Sequence, residues 1–516
     1  MKHFILFVFL CMACLTIHAQ EENLLSVGEK MDGTDLKAEC YTFPQRVETF
    51  SVDPSLEFLC LNFRETTKSG KYLKSKGEIG LYRIADKELM WKSPIDYLTT
   101  RVSCIKQGVL LTTAYETSLL DKATGTERWK NTFYPVYKDD SLNILIGYRA
   151  AYSNTLRAIS LDYGIQFWET KIPHKFGWNQ VYPLNGTKRL IVADDISELD
   201  LQTGAKVVCE VKTGVADTKM MLLQGLSAVA GAAAGAAITG GAYAYSYVPT
   251  GNNVITGLVS NVWMADSCYY VADRENLMRL DSSLQPVWKS EFPGVKASHS
   301  VLFGRGDKLY MLNYGFGLRS GGGKVKSGRP FIAGYDCQSG NQLFFNQLSL
   351  KKDIVEDALI ANDAIYMLFD NGLSYQAFTD SVVNITPWDV ERYGKLLGIL
   401  SDTIYVFNKE RKDFMPLSFD GVNCPVLTDL GQIYVIDKDL QIRQEYSAED
   451  IYLPDARLKD YLCVSKENDY WFIHKLGMPV AHLKMNVRRK VAIDNRLLVL
   501  TDQNQLMYID MDKAVR

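Results

Sequence analysis

The stretch "SLLDKATGTERWK", residues 118–130, decides the fold because its pattern keeps returning along the chain. An apolar run ends at Asp121, Thr124 and Gly125 follow, and Trp129 comes eight residues after the Asp. "ELDLQTGAKVV" (198–208) repeats the spacing with Asp200, Thr203, Gly204 and Val208, and "GYDCQSGNQLF" (334–344) with Asp336, Ser339, Gly340 and Phe344. Looser copies run from Asp86 to Trp91, Asp162 to Trp168 and Asp281 to Trp288, and the copies at 433–446 and 506–515 lose the Trp.

The phrase has the chemistry of a β-hairpin. Before each Asp, four to six positions are rich in Leu, Ile, Val and Tyr, as strands are. Asp accepts backbone hydrogen bonds within a turn, and Gly supplies positive φ. The following strand then delivers a large apolar side chain to an inter-sheet core. With the apolar runs upstream of most copies, each unit amounts to three or four short strands. Landmarks fall at 86, 121, 162, 200, 281, 336 and 437, with weaker units near 370, 405, 474 and 510. The usual step of about 35–40 residues is the size of a propeller blade. No long amphipathic pattern intervenes, so the predicted class is all-β, a β-propeller whose small sheets bury both faces against one another.

The "L-D-x-x-T-G-x-x-x-W" grammar resembles the PQQ-like (quinoprotein-type) β-propeller repeat, over most of residues 45–516 and best at 80–210 and 270–345. That repeat occurs in quinoprotein dehydrogenases and in the propeller lipoprotein of the outer-membrane barrel-assembly machinery. The resemblance implies seven or eight blades. Eight are expected, although as many as eleven units can be counted. The last strand, "QLMYIDM" (505–511), is expected to close the ring against residues near 45–62. Cofactor-using quinoproteins carry vicinal cysteines and a metal-binding acid beside the quinone. After residue 19 this chain has no Cys-Cys pair, so no cofactor is expected.

Composition narrows the class further. The chain has 516 residues, 47% hydrophobic and 23% charged, as globular proteins do. A net charge of −3 offers no general attraction for nucleic acid. Residues 1–19 read as a signal peptide: Lys2 and His3, an apolar run from Phe4 to Ile17, and Ala19 before the cut. An exported protein in the periplasm or at the outer membrane is therefore expected, with a lipid anchor at Cys14 as the lesser reading. Residues 20–44 form a lead-in and 45–516 the propeller. Eight scattered cysteines follow the signal, without zinc-like spacing. Cys60, Cys209 and Cys463 lie in apolar runs that suit buried free thiols, and one or two disulfides at most are expected.

Two segments interrupt the repeat. The first is a Gly/Ala-rich insertion at 213–257, with no charge from Met220 to Val248. Three readings stand: a small-residue helix or loop packed on the propeller, a membrane contact through 219–248, or self-association through a small-residue face at Gly231 and Gly235. Its candidate partner or membrane contacts are Gly225, Gly231, Gly235, Tyr243, Tyr245 and Tyr247. The second is "GFGLRSGGGKVKSGRP" (315–330), a basic hairpin tip and not a Walker A loop, since Val325 follows Lys324. Arg319, Lys324, Lys326 and Arg329 are its candidate anion or partner contacts.

The sequence holds no recognisable catalytic constellation. The four histidines after the signal, at 174, 299, 474 and 482, have no ligand spacing, and there is no G-x-S-x-G elbow or calcium loop. The acid pairs Asp139–Asp140 and Asp194–Asp195 read as solvated turns, and His174 as an exposed loop residue. No catalytic, cofactor-binding or metal-binding residue is therefore expected. The resulting reading is a non-enzymatic scaffold that binds an envelope protein, with any small-molecule ligand left open. The alternative is a quinoprotein-like oxidoreductase or a carbohydrate-active propeller enzyme.

Overall fold

The computed structural model describes residues 23–217, 253–319, 322–348, 354–370, 372–378 and 385–515. Among them the only α-helices are the single turns Val390–Tyr393 and Met511–Ala514. The strands form ten four-stranded antiparallel blades, not eight. In chain order they occupy 47–96, 101–131, 134–171, 180–209, 263–291, 300–347, 357–387, 396–447, 451–484 and 487–510. The last blade borrows its fourth strand, Asp35–Thr42, from the N-terminal end of the chain.

Buried side chains join each blade to the next. Leu81 of blade 1 shares a cluster with Val109 of blade 2, and Tyr148 of blade 3 one with Leu199 of blade 4. Leu498 and Leu500 of blade 10 pack with Phe50 and Leu59 of blade 1, so the circuit closes. The expectation of eight discounted weak units that are complete blades, those near 370, 474 and 510. Only the landmark near 405 is not a blade. It is a hairpin, Ile404–Asn408 with Asp413–Leu417, inserted in blade 8 and paired to the first strand of blade 9. The last strand does close the ring against residues near 45–62, with Leu506 packed on Val47, Phe50 and Leu59, but its strand pairing, Gln505–Tyr508 with Glu39–Thr42, lies in the lead-in. Asn23–Lys30 continues onto the last strand of blade 9.

The repeated phrase acts between blades. The Asp121 carboxylate accepts the N–H groups of Ala123 and Thr124, and Gly125 donates back to the Asp121 carbonyl. Asp200 and Asp336 build the same turn. In blade 3 the equivalent residue is Ser160, not Asp162, because Gly164 donates to the Ser160 carbonyl. Each Trp lies against the turn of the following blade. Its indole N–H donates to the carbonyl one residue past the turn's first position: Trp91 to Lys122 (2.8 Å), Trp129 to Leu161 (2.9 Å), Trp168 to Leu201 (2.8 Å) and Trp288 to Cys337 (3.1 Å). A β-carbon built on Gly125, Gly164, Gly204 or Gly340 would lie 2.6–2.8 Å from that indole or a neighbouring side chain. Glycine therefore serves twice, for positive φ and for close approach of the ring.

Strand alternation divides the turns between two faces. Turns joining first to second and third to fourth strands lie on one, which carries Asp121, Asp200 and Asp336. Second-to-third turns and blade-to-blade connectors lie on the other, the connector face. Both interruptions of the repeat emerge there: 213–257 joins blades 4 and 5, and 315–330 joins the second and third strands of blade 6.

The eight cysteines from Cys40 to Cys463 are all free, and all but Cys268 are buried. Burial pushes the Cys104 thiol up to about 12. The acid pairs are not simply solvated. Asp139 is fully buried and accepts from Arg189 Nη2 at 2.9 Å, tying blade 3 to blade 4, while Asp194 accepts the N–H groups of Lys175 and Phe176. Burial, with the Asp194 charge adding to it, raises the Asp195 carboxyl above the usual carboxylate range.

The latch predicts a contrast between two glycines. Gly204 (φ 74°) lies under Trp168, whereas Gly186 (φ 63°) has nothing within 4 Å of its would-be β-carbon. Gly186→Ala should cost about 1 kcal/mol for the left-handed backbone, and Gly204→Ala about 2–4 kcal/mol because the ring must also move. Urea unfolding of the two variants measures the difference, and equal losses would mean the indole contact is not limiting.

Candidate functional site

The two interruptions meet. Val215–Ala216 and Val254–Thr256, the two ends of the insertion, pair with each other, and the second pairs with Phe316–Arg319 of the blade 6 hairpin. Lys324–Lys326 completes a four-stranded accessory sheet on the connector face. Backbone bonds tie it to the adjoining connectors: Leu258 donates to Thr213, His299 to Phe316, and Val355 to Tyr314. Gly214 abuts Phe176 of the blade 3–4 connector so closely that a β-carbon would lie 2.3 Å from the ring.

Three of the four predicted basic residues lie on this sheet, with Arg329 just beyond it. Arg319 Nε donates to Asp217 at 2.8 Å, and the Asp217 side chain is only 3% exposed. Lys324 pairs with Glu356 at 2.8 Å while its ammonium stands 4.7 Å from the centre of the Phe316 ring. Two of the predicted anion contacts are therefore occupied by internal carboxylates and serve to fasten the sheet. Lys326 lies on its outer strand, where charge discourages further strand pairing. Gly225, Gly231, Gly235, Tyr243, Tyr245 and Tyr247 lie outside the described residues.

His299 sits at the root of the sheet. Its ring stacks on Phe316 at 5.1 Å and tilts against Tyr314 at 5.3 Å. Burial, and then the Lys324 ammonium, hold the imidazole below its ordinary value despite a bond to the Gly257 carbonyl. Burial pushes the Tyr314 phenol up to about 12. His174, expected on an exposed loop, is 3% exposed: Nε2 lies 2.9 Å from the Ser153 carbonyl and the ring 4.1 Å from Tyr148. Trp178 donates to the Tyr148 hydroxyl in the same packed group. The sequence shows His299 only as a histidine without ligand spacing and gives no sign of Asp217 or Glu356. Their signal is spatial, since Asp217 and Arg319 are 102 residues apart.

Among the described residues no group of three or more His, Cys, Asp or Glu is placed to hold a metal ion, and no helix is long and apolar enough to cross a membrane. Ring, latch and layered face define a β-propeller with an accessory sheet. No family model matches the chain, and no curated protein matches its sequence. Among solved structures, BamB from Moraxella catarrhalis aligns at 11% identity over 79% of this chain and 95% of its own, with a TM-score of 0.27. Apo AztD from Citrobacter koseri aligns at 10% over 72% and 92%, TM-score 0.30. A eukaryotic initiation factor aligns at 10% over 83% and 89%, TM-score 0.33.

The accessory sheet should be sensitive to acid. An unfolded histidine binds its proton near pH 6.5, whereas His299 stays neutral to lower pH in the fold. The unfolded chain then binds more protons, so stability is full above about pH 6.5 and declines as pH falls toward the folded value. Hydrogen exchange of 254–258 and 314–319, corrected for intrinsic rates, should lose protection over that window, and His299→Gln should flatten the profile. A wild-type profile already flat from about pH 7.5 to about 5 would exclude His299 as the titrating group.

Proposed function

We propose that this chain is an exported, non-enzymatic propeller that binds a protein partner in the cell envelope through its connector face. One observation carries the reading: the two segments that break the repeat, far apart in the chain, converge in one sheet on one face. A connector needs only a few residues to join two blades, so a long uncharged insertion held at both ends by a built platform requires a purpose beyond connection. The platform holds the two ends of the insertion on the connector face, opposite the face that carries the Asp turns. The insertion makes the contact, to the partner or to the membrane beside it, and the ring serves as the rigid mount.

Export and the envelope location belong to this proposal and rest on the character of residues 1–19. Affinity capture from envelope fractions tests it, comparing the wild-type chain with a 219–248 deletion. The deletion should lose at least one partner or its membrane association while its melting temperature stays within a few degrees of wild type. Unchanged partners and unchanged fractionation would remove the insertion from any binding role.

A further inference from the structure

Beside the accessory sheet, between blades 5 and 6, the connector face opens into a cleft of about 380 Å³ lined by Arg274, Gly294, Val295, Lys296, Gly328 and Arg329. Its three cations come from three separate segments: the second-to-third turn of blade 5, the blade 5–6 connector, and the end of the basic hairpin. Those segments are tied to one another. Ala297 N–H donates to the Arg274 carbonyl at 2.8 Å. Asn313, fully buried, accepts from Ser298 N–H and Oγ and donates Nδ2 to the Arg329 carbonyl at 2.7 Å. Gly328 (φ 79°) lies so near the Lys296 carbonyl that a β-carbon would be 2.3 Å away. The backbone segments that carry the cations are thus cross-braced, and the Lys296 and Arg329 side chains stand exposed on them.

Their charge is incompletely answered. Lys212 takes Glu275 at 2.5 Å, leaving Lys296 a longer contact of 3.7 Å to the same carboxylate. Asp273 spends its oxygens on the backbone N–H groups of Lys212, Glu275 and Asn276. Among the described residues, Glu275 and Asp273 are the acids in contact with Lys212 and Lys296, and neither pairs with Arg274 or Arg329. Nη1 of Arg274 is buried without a hydrogen-bond partner, a state that folded proteins rarely leave uncompensated. Two guanidinium forks with an ammonium between open walls of glycine backbone match a tetrahedral oxyanion, which accepts paired N–H bonds from arginine and a point charge from lysine.

We propose that this cleft binds a phosphate-type oxyanion, carried by a phospholipid headgroup or by a soluble phosphate ester. Arg274 and Arg329 clamp it, and Lys296 adds charge. The site stands on geometry separate from the insertion and does not depend on the proposed partner.

The test titrates the purified full chain with sodium phosphate against sodium chloride at constant ionic strength, following heat of binding and melting temperature. Wild type should show saturable binding and a phosphate-specific rise in melting temperature. R274Q/R329Q should bind at least about tenfold more weakly while melting unchanged in chloride. Should that double variant fail to fold, K296Q and R329Q singly carry the test, each expected to weaken binding several-fold. Vesicles of phosphatidylcholine with and without phosphatidic acid separate the sources: Arg274-dependent co-sedimentation with phosphatidic acid alone assigns a lipid, and binding of inorganic phosphate without vesicle binding assigns a soluble ester. No phosphate response beyond chloride, or a response undiminished in the variants, overturns the site. The 219–248 deletion should keep full phosphate binding, so loss of the partner reading leaves this one standing.

Discussion

The fold depends on an indole resting on a glycine. Wherever a blade ends in Trp, the ring lies on the turn of the next blade and its N–H is satisfied by a backbone carbonyl there. The contact joins apolar burial to an otherwise costly indole donor, so a large ring closes its interface without leaving a polar group unpaired. It also fixes the chemistry of the turn. Asp orders the loop, Gly admits the ring, and neither is free to become a catalytic residue. Trp129 and Trp168 are each 8% exposed, which leaves no stacking platform for a ligand.

The latch is missing where the connector face becomes elaborate. Blade 4 carries Val208 in place of Trp, and the blade 5 turn uses Leu284 at φ 58° where the turns that receive a Trp have Gly. At that junction the chain leaves for the 213–257 insertion, and the accessory sheet reaches from it to blade 6. The sheet therefore braces one of the junctions that lack a latch. Asp217 and Glu356, by fastening Arg319 and Lys324, make that brace rigid. The basic cleft uses the cations this fastening leaves aside.

Legibility in the sequence follows the same physics. The latch demands fixed residue types at fixed spacing, so the blades that use it, between 80 and 345, declare themselves. Blades 7 to 10 hold together through aromatic groups without a common spacing, such as Trp388, Tyr393 and Tyr434, or Phe407, Phe414 and Trp471. Their units read as weak although they are complete, and an expectation of eight blades stood where there are ten. The insertion and the basic hairpin were both recognisable as interruptions. Their union was not, because strands of two to four residues are too short for alternation to show and their partners lie far along the chain. Arg274 and Lys296 gave no signal at all, being single charges in ordinary loops.

Under the proposed function, recognition belongs to the connector face and the repeated turns serve only the ring. Hydrogen exchange of the full chain, alone and bound to a partner captured from the envelope, tests it most directly. Protection should concentrate at 174–176, 213–217, 254–258 and 314–326, with the turns at 121–125, 160–164, 200–204 and 336–340 unchanged. Protection confined to those turns, with the connector face exchanging as before, would contradict the account.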